Sequence, residues 1–142
     1  RGDVMSEIRR YGIWLLLLGA ILLLAGCSVA KKQSDQHQDL ECTVLKEDEI
    51  PQPLAEVIEE NKTKEMKLSY EKDGMLYIAR GFGEQKTGGY SITTKYCYLD
   101  EDGIHIRFEL LGPSAGETLP EEATWPYIVV RMEKTGESIL FE

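Results

Sequence analysis

Cysteine and histidine are scarce: the chain has three of the first and two of the second in 142 residues. No Cys-x-x-Cys or His-x-x-x-His spacing occurs, so no tetrahedral zinc site is expected. No serine stands in a Gly-x-Ser-x-Gly turn, which removes the nucleophile elbow. His37 lies in a polar stretch and reads as solvated. His105 falls far from it, on the outward side of an alternating strand, and reads as a lone surface histidine. Gly81-Phe82-Gly83 opens like a dinucleotide loop, but Lys86 takes the third glycine position and no long helix follows. The sequence therefore offers no catalytic residue, metal or cofactor, and reads as a non-enzyme. Basic charge is also short, with 16 Lys and Arg against 25 Asp and Glu. Beyond residue 26 the count is 13 against 23, a formal charge of −10. Such a surface repels phosphate backbones, which argues against nucleic acid, and repels anionic headgroups as well.

Long hydrophobic runs are limited to one, from Gly12 to Gly26. It is shorter than the roughly 20 residues a spanning helix needs. Arg9-Arg10 precedes it, and the small residues Ala25-Gly26 close it. That is the basic, apolar and cleavage-site order of an export signal. Translation is expected to start at Met5, with Arg1–Val4 an upstream extension. Leu24-Ala25-Gly26-Cys27 resembles the lipobox of bacterial lipoproteins. The resemblance implies cleavage between Gly26 and Cys27, a diacylglycerol on the Cys27 thiol, and a further acyl chain such as palmitate on the new N-terminus. Two or three chains anchor stably, at about 0.8 kcal/mol per buried methylene. The mature protein is then held by lipid on the extracytoplasmic face of the bacterial envelope.

Three segments follow: a signal peptide over 1–26, the lipidated cysteine with a flexible polar tether over 27–39, and one domain over 40–142. Cys42–Leu45 reads as a strand. Pro51 and Pro53 fit only the first turn of a helix, and Leu54, Val57 and Ile58 share one face, so a short amphipathic helix is predicted over Pro51–Asn61. Glu65–Lys72 and Met75–Gly81 flank Asp73-Gly74, a two-residue hairpin signal. Gly88–Leu99 and Ile104–Leu111 flank a second turn at Asp102-Gly103, with Ile104, Ile106, Phe108 and Leu110 on one face and His105, Arg107 and Glu109 on the other. Asp100-Glu101-Asp102-Gly103 lacks the distal ligands of a calcium loop, and the turn explains it better. Trp125–Met132 reads as a central strand and Ser138–Phe141 as the last. The expected class is α+β: one short helix on a mostly antiparallel six- to seven-stranded sheet, curled into a sandwich or an open barrel. Cys42 and Cys97 both fall in strands. They form one disulfide if those strands neighbour each other, or stay as two small buried thiols.

Two loops stand out. Glycines crowd Gly81–Ile92, and the pair Gly88-Gly89 serves either a tight bend beside a packed Tyr90 or a rigid loop shown to a partner. Gly112–Thr124 is long and rich in Gly, Pro and acidic residues. Thr87-Gly88-Gly89-Tyr90-Ser91-Ile92, then a hairpin, Leu111-Gly112-Pro113 and Trp125-Pro126-Tyr127-Ile128-Val129-Val130, resembles the PrcB C-terminal domain family over about Leu68–Met132. That family is named for a lipoprotein subunit that stabilises a surface serine protease complex. The resemblance implies an extracytoplasmic, non-catalytic accessory domain. Gly89, Tyr90, Gly112, Pro113, Gly116, Trp125 and Pro126 also resemble, more loosely, the three-loop wedge of chagasin-like cysteine-protease inhibitors.

The expected function is that of a membrane-anchored protein-binding or protease-stabilising module. Its partner is an envelope or secreted protein, plausibly a protease. Thr87, Gly88, Gly89, Tyr90, Ser91, Gly112, Pro113, Trp125, Pro126 and Tyr127 are its expected contacts, with Trp125 and Tyr90 the strongest. The alternatives are an envelope solute- or glycan-binding lipoprotein and a protease-inhibitor-like module.

Overall fold

The structure, a computed structural model, describes residues 37–142. Gly26, Cys27 and the signal and lipidation assignments lie outside the described residues. Among the described residues eight strands and one α-helix follow in order: β1 (Gln38–Asp39), β2 (Thr43–Val44), α1 (Gln52–Asn61), β3 (Glu65–Lys72), β4 (Met75–Phe82), β5 (Ser91–Asp100), β6 (Gly103–Leu111), β7 (Tyr127–Glu133) and β8 (Ile139–Phe141). A single 3-10 turn at Glu47–Glu49 precedes the helix.

The six- to seven-stranded sheet expected from the sequence, curled into a sandwich or an open barrel, takes the form of two four-stranded sheets, in the orders β1-β5-β6-β8 and β2-β7-β4-β3. All pairings are antiparallel except β6 with β8. The reason for two sheets lies in strand faces. On β4 and β7, Leu76, Ile78, Ile128, Val130 and Met132 point one way and meet Cys97, Ile104, Ile106 and Phe108 from β5 and β6. Ala79 and Val129 point the other way and, with Met66 and Leu45, receive Leu54 and Ile58 of the helix. The β4–β7 layer is thus buried on both faces, which makes β7 read as a nearly continuous apolar run. Val57, the third member of the predicted helical stripe, stays 39% exposed.

Proline sets two boundaries. Pro51 and Pro53 occupy the start of α1, where the missing N–H groups have no intrahelical partner to lose. Pro126 delays β7 to Tyr127, two residues after the predicted start, because it cannot donate to a ladder. Two further readings are corrected. The polar tether does not run to Asp39: Gln38 and Asp39 pair with Leu99 and Tyr98 on β5, and His37 stacks on the Tyr98 ring at 4.1 Å. The second hairpin turns at Glu101–Asp102, with Gly103 already paired opposite Asp100. Gly103 has φ 137°, and a Cβ there would lie 2.5 Å from the Ser138 carbonyl oxygen, so only glycine fits.

Among the described residues no helix is long and apolar enough to cross a membrane.

Candidate functional site

The strand order places the ends of β4 and β6 and the starts of β3, β5 and β7 at one end of the sandwich. The two loops singled out from the sequence are therefore neighbours. They are also joined. Gln85 and Thr124 exchange main-chain hydrogen bonds of 2.8 and 3.0 Å, and Thr124 Oγ1 donates to the Thr87 carbonyl at 2.8 Å. The Phe82 N–H donates to the Pro126 carbonyl at 3.2 Å. Gly89 has φ 81°, and a Cβ on it would lie 2.8 Å from Leu119 and 3.0 Å from Pro113. Gly88 has open space around it. A Cβ on Gly112 would lie 3.6 Å from the Tyr90 ring, so Tyr90 covers the start of the long loop. The tight-bend reading fits Gly89, while half-buried Gly88 leaves room for a side chain.

Trp125 continues this end. It is 37% exposed, so it is not a core aromatic, and Lys62 at the end of α1 sits 5.7 Å from its ring centre. Beside it Val44, Ile50, Pro126 and Tyr127 line a groove of about 300 Å³ edged by Glu47. Tyr127 is half-buried, and desolvation followed by Glu47 and Glu59 pushes its phenol above the ordinary range. Ser91 and Gly112 are exposed and Pro113 half-buried, so the end as a whole is a polar rim around a small apolar and aromatic patch.

A second cluster was not legible as one. His105 is on the outward face of β6, as alternation requires, but it is only 9% exposed and is not a lone surface histidine. Tyr98, its cross-strand partner, stacks on the imidazole at 4.6 Å. Nε2 lies 2.8 Å from Asp100 Oδ1, and Nδ1 lies 3.2 Å from Glu142 Oε2. The Glu142 carboxylate, opposed by burial and aided by Asp100, holds the imidazole pKa above its usual value. Glu142 is held below the carboxylate range by His105, against burial and with help from the Tyr96 hydroxyl. Burial raises Asp100, but the Asp102 N–H and His105 outweigh it and the net shift is downward. Asp100, Asp102 and His105 each bring one donor atom within 4.8 Å of the others, a set that suits a divalent cation by chemistry. The same Asp100 oxygen already accepts from the Asp102 N–H and faces His105, which accounts for the turn without an ion. Tyr98 opposite His105 follows from the hairpin register. Glu142 does not, because it arrives through the parallel β6–β8 pairing.

Cys42 and Cys97 are both reduced in this structure. They nevertheless sit together: Cys97 is in the core, Cys42 packs against the same cluster, and both line one groove.

Residues 76–133 match the family model described as PrcB C-terminal. The matched stretch runs from β4 through β7 and includes both loops at the joined end. No curated protein and no solved structure matches the chain. The stretch 76–133 is a PrcB C-terminal-like domain.

Proposed function

We propose that the protein is a lipid-anchored, extracytoplasmic accessory subunit that binds a protein partner, of the protease class, through the joined loop end. The observation that carries this is the mutual bracing of 83–90 and 112–126. Two surface loops that hydrogen-bond and pack on each other are pre-organised, so little ordering entropy is lost on docking. Trp125 and Tyr90 supply rigid aromatic area at low entropic cost, which suits interface anchors. The family's protease association supplies the partner class. The lipobox at Leu24–Cys27 supplies the anchor, with no catalytic role for this chain.

Gly88 provides the test. A Cβ there meets no neighbour within 4 Å, so position 88 is the member of the glycine pair suited to carry a photo-crosslinking residue. In the native envelope, the probe at position 88 should crosslink to one discrete protein with protease activity. The same probe at Asp73, in the hairpin at the opposite end, should not. Equal labelling from both positions would remove the assignment. Removing the subunit should shorten the partner's lifetime. Inhibition of the protease by added domain, without a change in lifetime, would favour the wedge-like inhibitor instead. Cys27→Ser should abolish acyl labelling and move the protein out of the membrane fraction.

A further inference from the structure

The N-terminal arm changes sheets. β1 lies on β5 in one sheet, and β2, after a crossing of three residues, lies on β7 in the other. Each of these strands is only two residues long. Single main-chain bonds extend them, from the Leu40 N–H to the Cys97 carbonyl at 3.0 Å and from the Leu45 N–H to the Val129 carbonyl at 2.9 Å. Cys42 sits in the crossing. Leu40 and Cys42 both pack toward the shared core, and with Leu40 bonded to the Cys97 carbonyl this places Cys42 in the same cluster and groove as Cys97. The two differ in access. Both line a groove of about 730 Å³ with Glu41, Thr43, Thr94 and Tyr96, but Cys97 lies at its buried floor, 8% exposed, whereas Cys42 is half-buried.

We propose that Cys42 and Cys97 are a redox-active dithiol, in which accessible Cys42 attacks a small or protein disulfide and buried Cys97 resolves the adduct, leaving a disulfide that staples the arm to β5. In the first step the Cys42 thiolate forms a bond to one sulfur of the incoming disulfide, and the other sulfur leaves as a thiolate. In the second, Cys97 gives up its proton and attacks the Cys42 sulfur, expelling the second thiolate. Two protein thiols are oxidised, one external disulfide is reduced to two thiols, and the protons pass to the leaving groups. The roles follow from position. The neighbouring Cys97 thiol lowers Cys42 to about 7, against the effect of burial, while contact with Cys42 and burial push Cys97 up. Cys42 is thus the more accessible and more acidic thiol of the two, and Cys97 acts as a nucleophile only once the adduct has formed beside it.

The experiment uses the full chain with Cys27→Ser, so that only two thiols remain. Treated with oxidised glutathione and then denatured, it should resist maleimide labelling and yield one peptide pair linked through Cys42 and Cys97. Reduction should lower the thermal midpoint by about 10 °C, as for closing a long loop in a small domain. It should also speed hydrogen exchange at amides 38–45. Adding Cys97→Ser should trap a stable glutathione adduct on Cys42. Adding Cys42→Ser should leave folded Cys97 unmodified. Two thiols still open to maleimide after oxidation would overturn the proposal. So would a glutathione adduct that persists with Cys97 present, or modification of Cys97 before Cys42.

Discussion

At the scale of single residues, His105 shows how a pattern can be right and its consequence wrong. Alternation along β6 turns it outward, yet Tyr98, Asp100 and Glu142 close over it, and His37 stacks on the far partner Tyr98. The cluster links stability to pH. The folded imidazole pKa lies above 6.5, so its contribution is complete below that value and fades as pH rises through the folded one. Asp100 and Glu142 lie below 3.8 and 4.5, so their contributions are complete above those values and fade as pH falls through the folded ones. The three act together in the mildly acidic window between. His105→Gln should therefore destabilise most near about pH 5.5 and less near about pH 8.5. Urea unfolding at both pH values checks this, and an equal deficit at the two would show that His105 acts by packing alone. Titration of its ring proton by NMR should place the midpoint above the ordinary imidazole value of 6.5.

Among the elements, the loop pair is where small changes should be felt most. Gly88 and Gly89 are adjacent and differ in every respect that matters. Alanine at Gly89 must hold a left-handed backbone and displace Leu119 and Pro113, at a cost of about 1–2 kcal/mol for the backbone alone. Alanine at Gly88 meets nothing and should be close to neutral. Chemical denaturation of the two variants checks the difference, and equal losses would mean the loops are not packed as described. The helix and the main strands were legible because their signals are local: prolines in a first turn, a three- to four-residue apolar stripe, Asp73-Gly74 between alternating runs. The bracing of Gln85 on Thr124 and the arrival of Glu142 beside His105 were not. They depend on which strands pair across the sequence, and periodicity within a strand carries no information about that. The same limit left the sequence unable to choose between a sandwich and an open barrel, or to assign strands to two sheets. Leu76 and Ile106 look alike as core residues, and only the strand order puts them in opposing layers.

Residues 37–142 form a sandwich whose layers cannot be separated cheaply. On one side the arm from β1 to β2 ties the sheets covalently. On the other, the edges β3 and β8 stay unpaired to each other, but Lys67 reaches over the Phe141 ring at 5.9 Å, and Glu65, Lys67, Glu71 and Lys72 give the longer edge a charged border. Charges of that kind guard an edge against pairing with other chains. Between the sheets, Ile78 from one layer and Ile104 and Ile106 from the other are fully buried. Neither layer can keep its inner face dry without its partner, because the same cluster supplies both. Unfolding should therefore be one cooperative transition for residues 37–142. Ile78→Ala and Ile106→Ala should each cost about 2–5 kcal/mol and lower a single urea midpoint shared by both sheets. Isoleucine methyl signals, followed through the titration, separate the layers: Ile128 reports on the Ile78 sheet and Ile104 on the Ile106 sheet. In either variant the two should disappear together. If Ile78→Ala shifted Ile128 alone and left Ile104 at its original midpoint, the sheets would be independent units. The loop end, which takes its segments from both, would then lose its rigid base.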